Sequence, residues 1–214
     1  MIARRSRHCM GLAMILALLT INLFCCWAEA FDRAGWIKRG EKALNPFKKS
    51  LMGALVEGLE DGPEAAIEVC QIVAPEIAEE VSSAGVELGR TSHKLRNKDN
   101  APRGWMQPLL EGYLGTPGKT DPEVVQLKDG GVGYVEPIFV KRMCLACHGS
   151  AISPGVSSLV DEYYPGDQAR DFKEGDFRGL FWVEFTNALQ GDALKIFRLT
   201  WCLTNHEKVC VLFP

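Results

Sequence analysis

The run Met143-Cys144-Leu145-Ala146-Cys147-His148-Gly149 constrains this chain more than any other stretch. A Cys-x-x-Cys-His sequence is the attachment pattern of a c-type haem. The chemistry sets both residue types and spacing. Two thiols must reach two vinyl groups on one porphyrin edge, and a single turn of chain presents both sulfurs on one side. The adjoining imidazole then lies under the iron as proximal ligand. Eight Cys and four His in 214 residues make this five-residue pattern an improbable accident. No second Cys-x-x-Cys or His-x-x-x-His completes a zinc site. A thioredoxin-like dithiol belongs near a βαβ pattern with Trp or Pro beside it, and neither is present. A fold around this motif must enclose one flat cofactor, and covalent attachment implies export.

The beginning of the chain has an export pattern. Arg4, Arg5 and Arg7 precede an apolar run from Met10 to Trp27, and Ala28-Glu29-Ala30 offers small residues where a signal peptidase cuts. Residues 1–30 are thus read as a signal peptide for the periplasm, or for the thylakoid lumen if the source is photosynthetic. The rival is an uncleaved anchor facing the same compartment, since the apolar run approaches the length of a spanning helix. A lipid anchor at Cys25 or Cys26 lacks the small residues that should precede it. Cleavage removes 30 of 214 residues, three of 24 basic and one of 27 acidic ones. The remaining 184 residues carry a net charge of −5 and no basic stripe, which argues against nucleic acid as a partner. That length suits one domain, taken here as residues 31–185, followed by an extension over 186–214. Cys9, Cys25 and Cys26 leave with the signal. Cys144 and Cys147 belong to the motif, so Cys70, Cys202 and Cys210 remain as an odd set in an oxidising compartment.

Residues 31–45 suggest helix, and Asn45-Pro46 suggests the N-cap and first turn of another, carried by Phe47, Leu51, Ala54, Leu55 and Leu59 and closed at Asp61-Gly62. Pro63 opens the next helix. Ala66, Cys70, Val73 and Ile77 form its inward face, with a kink or restart at Ala74-Pro75. Residues 85–103 are read as a polar connection, and 105–114 as a short helix interrupted near Pro108. A hairpin follows, from Val124 to Leu127 and from Val132 to Val140, across Asp129-Gly130-Gly131. It delivers the chain into the Cys-x-x-Cys-His run. A helix over 154–163, a turn at Tyr164-Pro165-Gly166-Asp167 and a buried strand over 176–185 complete the order. Helices first and antiparallel strands after make an α+β fold.

Several segments together resemble a bacterial family of single-haem c-type proteins with a PAS-like sensor fold. They are Gly62-Pro63-Glu64-Ala65-Ala66-Ile67-Glu68-Val69-Cys70, Ala74-Pro75-Glu76-Ile77-Ala78, Gly89-Arg90-Thr91-Ser92-His93-Lys94-Leu95-Arg96-Asn97, Pro137-Ile138, residues 143–149, Tyr164-Pro165 and Gly175-Asp176-Phe177-Arg178-Gly179. The resemblance runs from about residue 46 to 185, and the last 29 residues depart from it. It implies a PAS-like domain of N-terminal helices packed on an antiparallel sheet, with one covalent haem c. It also implies axial ligation by the motif His, here His148, and by a helical Cys, here Cys70. The family's role is redox or small-molecule sensing, or electron transfer.

From the residues alone the iron's second face has three candidates: Cys70, His93 and a Met such as Met52 or Met106. A Cys on an apolar helical face is otherwise a packing residue. Met is the usual partner in electron-carrying cytochromes c. Arg90, Lys94 and Arg96 suit haem propionates, Arg bidentately, or else form a solvated basic loop. Trp105, Tyr134, Phe139 and Trp182 are read as porphyrin or core packing. The resulting expectation is an exported haem-binding protein, not an enzyme, that senses redox state or a small gas ligand. The alternative is an electron-transfer cytochrome c, with a haem enzyme such as a peroxidase less favoured. Output must pass to a separate redox or signalling partner protein, because no kinase or methyl-accepting module is attached.

Overall fold

The computed structural model describes residues 31–83 and 85–186. The expected signal segment and the expected extension with Cys202 and Cys210 lie outside them.

Helix α1, Arg33–Glu60, buries Trp36, Gly40, Leu44, Phe47, Leu51 and Gly58 along one stripe. Sequence reading starts a helix at Asn45-Pro46, whereas the structure carries one helix through Pro46. Pro46 deletes a single ladder hydrogen bond, to the carbonyl of Lys42, and both residues are exposed. Leu44 and Phe47, at 0 % and 1 % exposure, anchor the two sides of the proline. Packing outweighs the breaker. The stripe lies on the sheet: Trp36 meets Phe185 at 5.3 Å between ring centroids, and Phe47 meets Phe181 edge-on at 6.0 Å. Gly40 lets the helix backbone rest on the Tyr134 ring, which any Cβ there would strike.

After Gly62 (φ 108°), helix α2 spans Pro63–Glu68. It widens into a π turn, Val69–Val73, before helix α3, Ala74–Val81. The restart expected at Ala74-Pro75 takes this form. Pro75 has no N–H for the carbonyl of Gln71, and the Ala74 N–H donates five residues back, to Val69.

Four antiparallel strands form one sheet in the order β1-β4-β3-β2. They are β1 (Val86–Thr91), β2 (Glu123–Gln126), β3 (Val132–Phe139) and β4 (Phe177–Phe185). The β2–β3 hairpin agrees with the sequence reading. Strand β1 corrects it, because residues 85–103 are not all connection. Val86 and Leu88 are the only large apolar residues in the strand, and it pairs on one side only, with β4. Its burial comes from Leu88, from Gly89 lying against Trp182 and from Thr91, 3 % exposed. Helix α4, Gln107–Gly115, corrects another point: Pro108 sits in its first turn and starts the helix instead of interrupting it. Leu110 and Tyr113 of α4 pack on Val135 and Leu180. After β3 come a 3-10 turn, Arg142–Cys144, helix α5, Leu145–His148, and helix α6, Pro154–Tyr163. Among the described residues no helix is long and apolar enough to cross a membrane.

Candidate cofactor site

The Cys-x-x-Cys-His run emerges from β3 where that strand is tied to the start of β4. The Val140 N–H donates to Asp176 O (2.9 Å), and the Gly175 N–H to Val140 O (2.9 Å). The chain then tightens, Cys144 N–H to Lys141 O at 2.8 Å, into the single turn of α5. Residues three apart on a helix share a face. Each cysteine also leans on a different apolar cluster. Cys144 packs with Val140, Ala169 and Phe172, and Cys147 with Ile67, Val156, Val160 and Tyr164. The motif therefore bridges two parts of the core. Burial pushes the Cys147 thiol up, against the pull of Arg96, so it is held as a neutral thiol.

His148 Nδ1 lies 2.8 Å from Ala169 O. A carbonyl oxygen only accepts, so Nδ1 carries the proton and donates, leaving the Nε2 lone pair free. Burial, then the charges of Arg178 and Arg96, push the imidazole down to about 3, although the Ala169 bond pulls the other way. A neutral, tautomerically fixed imidazole beside two thiols on one helical turn is the donor set a haem iron and its vinyl groups require.

That geometry is held from behind. Arg96 Nη2 donates to Cys147 O (2.7 Å) and to Ala169 O (3.3 Å). The same guanidinium grips Asp167 through Nε to Oδ1 (3.1 Å) and Nη2 to Oδ2 (3.2 Å). Asp167 also receives the Ala169 N–H (2.9 Å) and Arg170 Nε (2.9 Å). Burial alone would raise the Asp167 carboxyl, but these donors hold it below the usual carboxylate range. Arg96 is thus no solvated loop residue. With side-chain exposures of 10 % and 2 %, Arg96 and Asp167 form an interior clasp that ties the motif turn, at Cys147 O, to the Ala169 loop.

Cys70 lies half-buried in the π turn. Its sulfur is near enough to act electrostatically on Cys147 and on Tyr164, which burial and Cys70 push up to about 12. Helix α2, immediately before the π turn, packs on α5, and Cys147 Sγ is 4.0 Å from Pro63 O. Of the alternative ligands, Met52 is exposed on α1 and Met106 is fully buried before α4. His93 stacks on Phe177 (5.7 Å, 11°) and meets Phe172 edge-on (6.0 Å). Its Nδ1 is buried without a hydrogen-bond partner, and burial, Arg178 and Lys94 lower its pKa. Lys94 reaches Arg170 O (3.1 Å) and lies over the Phe172 ring at 5.0 Å. Arg90, opposite Phe181 in the sheet, is close enough to Tyr164 and Arg178 to lower the pKa of both. Trp105 and Trp182 pack in the Leu110 cluster, and Trp105 Nε1 donates to Glu184 (2.7 Å). Tyr134 lies beneath α1, while Phe139 meets Phe177 at 6.2 Å, toward His93.

Three residues escaped sequence reading: Asp167, Phe172 and Arg178. Asp167 was legible only as part of a turn, and Arg178 only within the Gly175–Gly179 run. Phe172 is the shared wall, with His148 (6.4 Å), His93, Lys94 and Arg178 (5.2 Å) around its ring.

A model of the family described as Tll0287-like matches residues 27–186, three quarters of the chain. The chain belongs to the Tll0287-like family. The match takes in every element from α1 to β4 and the whole Cys-x-x-Cys-His run. Among solved structures, the one described as the crystal structure of the cyanobacterial heme-protein Tll0287 aligns with a TM-score of 0.54 and 25% identity. The alignment covers 70% of this chain and 93% of that one. A comparison with curated proteins finds no match. The single-haem c-type family indicated by the sequence segments and the Tll0287-like family are in agreement.

Proposed function

We propose that this Tll0287-like protein carries one haem c, attached through Cys144 and Cys147, with His148 and Cys70 on the two faces of the iron. The observation that carries the proposal is the 2.8 Å bond from His148 Nδ1 to Ala169 O, which reserves Nε2 for a metal. The printed description of the related cyanobacterial structure as a heme-protein supports it. When bound, the haem supplies a one-electron ferric–ferrous couple and a face at which a small gas can exchange. The chain's residues do the rest. His148 orients its lone pair, Arg96 and Asp167 keep the turn from relaxing, and Cys144 and Cys147 would supply the thiols for covalent attachment. Cys70 would supply the second ligand.

The proposed role is redox or small-ligand sensing in a PAS-like domain. Thiolate is a strong donor that favours ferric iron, so the potential is low for a routine electron shuttle. Reduction would weaken a bond to Cys70, and that side of the site would then be open to a small ligand. Electron exchange with a partner is the second reading, favoured by the partial exposure of Cys70, Cys144 and Cys147, which would leave a cofactor edge near the surface. No catalytic residue is assigned, since an enzyme needs an open iron face with an acid–base group over it. The proposal includes export to the periplasm, or thylakoid lumen, with Phe31 first after cleavage, readable in the intact mass. A reduction potential measured with a carbon monoxide titration tests the role. Sensing predicts a low potential and carbon monoxide binding to the ferrous form alone. A high potential with no carbon monoxide binding contradicts it and supports electron transfer.

A further inference from the structure

We infer that Arg178 is the residue that holds a carboxylate of the cofactor, the role sequence reading gives to Arg90 and Arg96. The inference rests on the haem proposal above and deepens it.

The backbone singles Arg178 out. In the β3–β4 ladder Ile138 pairs with Gly179 and Phe139 with Phe177, so Arg178 is the extra residue of a β-bulge. Bulges re-aim a side chain and sit beside functional sites. Gly179 makes this one possible. It has φ 154°, and a Cβ there would strike Thr91 O across the β1 edge. The carbonyl that the bulge frees is satisfied, because Ser92 Oγ donates to Arg178 O at 2.6 Å. The local structure is complete, except for the charge.

Arg178 is deep-set and only partly accessible, 5.2 Å from the Phe172 ring centroid that His148 also meets. Its Nη1 donates to two neutral oxygens, Ser92 Oγ (2.6 Å) and Lys94 O (3.2 Å). Among the described residues it forms no ion pair, while Asp167, the carboxylate that acts on it, is committed to Arg96 and Arg170. The other charged or titratable groups that bear on this corner are Arg90, Lys94, Arg96, His93, His148 and the Cys144 thiol. Burial, then Arg96 and Arg90, lower the Arg178 pKa to about 10. A guanidinium is kept in such a place only when an anion meets it. The missing anion must lie beside His148, and a haem ligated there brings two propionates. Arg96 is already committed, to Asp167 and to the Cys147 and Ala169 carbonyls.

The test uses holoprotein matured in cells fed 13C-carboxyl-labelled haem precursor. A digest that yields no haem peptide defeats the underlying proposal before the comparison begins, and the present inference with it. In wild type, the infrared redox difference spectrum at pH 5 should show a labelled propionate as ionised carboxylate, with no acid carbonyl band for that group. The label separates it from His93 and every protein carboxyl. Arg178→Gln should restore the acid band at pH 5 and make the potential pH-dependent, and Arg178→Lys should retain the wild-type behaviour. Two propionates that both protonate at ordinary carboxylic values in wild type overturn the inference, whether or not the Gln variant folds. So does an Arg178→Gln protein whose labelled bands match wild type.

Discussion

The Ala169 carbonyl oxygen receives both the His148 Nδ1–H and an Arg96 N–H, so one atom joins the imidazole of the motif to a buried ion pair. Removing one partner of such a pair costs about 3–5 kcal/mol, because the other charge is left buried alone. Asp167→Ala should therefore lower stability by about that much at pH 7, seen as a large drop in Tm. The pH dependence follows from the Asp167 carboxyl, held below its ordinary value in the fold. Its contribution is complete above about 3.9, the ordinary carboxylate value, and is lost as pH falls through the folded value. The Tm gap between wild type and Asp167→Ala should shrink on going from pH 7 to below 3. An equal gap at both pH values would mean the ion pair contributes nothing. At Cys70 the expected outcome is spectroscopic: Cys70→Ala should abolish a thiolate-type low-spin ferric signal and raise the potential. An unaltered ferric spectrum would make Cys70 a packing residue. Cys144, Cys147 and His148 were legible because their chemistry is contained in five consecutive residues. Asp167 and Arg178 were not, since their roles arise from contacts 71 and 86 residues away.

Among elements, the structure departs from the sequence reading at three places. The sequence suggests a helix start at Pro46, but the residue lies inside α1, because the buried Leu44 and Phe47 anchor the helix on either side of it. Pro108 was read as an interruption and is a first-turn residue. Strand β1 was hidden by its polar composition, and its pairing partner lies some ninety residues on, in β4. The hairpin and helix α6 were legible, since Gly130 with φ 82° and Ser153 as N-cap act locally. The contact between α1 and the sheet depends on the absence of a side chain at Gly40. Gly40→Ala should force the helix off Tyr134 at a cost of about 1–3 kcal/mol, the usual penalty of overpacking. Chemical denaturation reads this directly. A midpoint equal to wild type would show that the helix does not bear on that ring.

In the whole molecule, the described chain is a sheet with α1 across it and a cofactor site at the end of β3 and the start of β4. Pieces distant in sequence meet there: the π turn with Cys70, the Ser92–Arg96 loop, α5, and the Asp167–Phe172 turn. This convergence explains why the family match spans residues 27–186 and is not confined to the motif. A bound group that touches these segments would use a fixed imidazole, two thiols on one turn and a guanidinium that forms no ion pair among the described residues. The central claim is that this group is a covalently attached haem. The direct measurement is acid–acetone extraction of protein expressed with a c-type maturation system, followed by mass spectrometry of the peptide containing residues 144–148. The account predicts that the colour stays with the protein and that this peptide carries one haem. Colour that extracts into the acetone, leaving the peptide with two free cysteines, would contradict it.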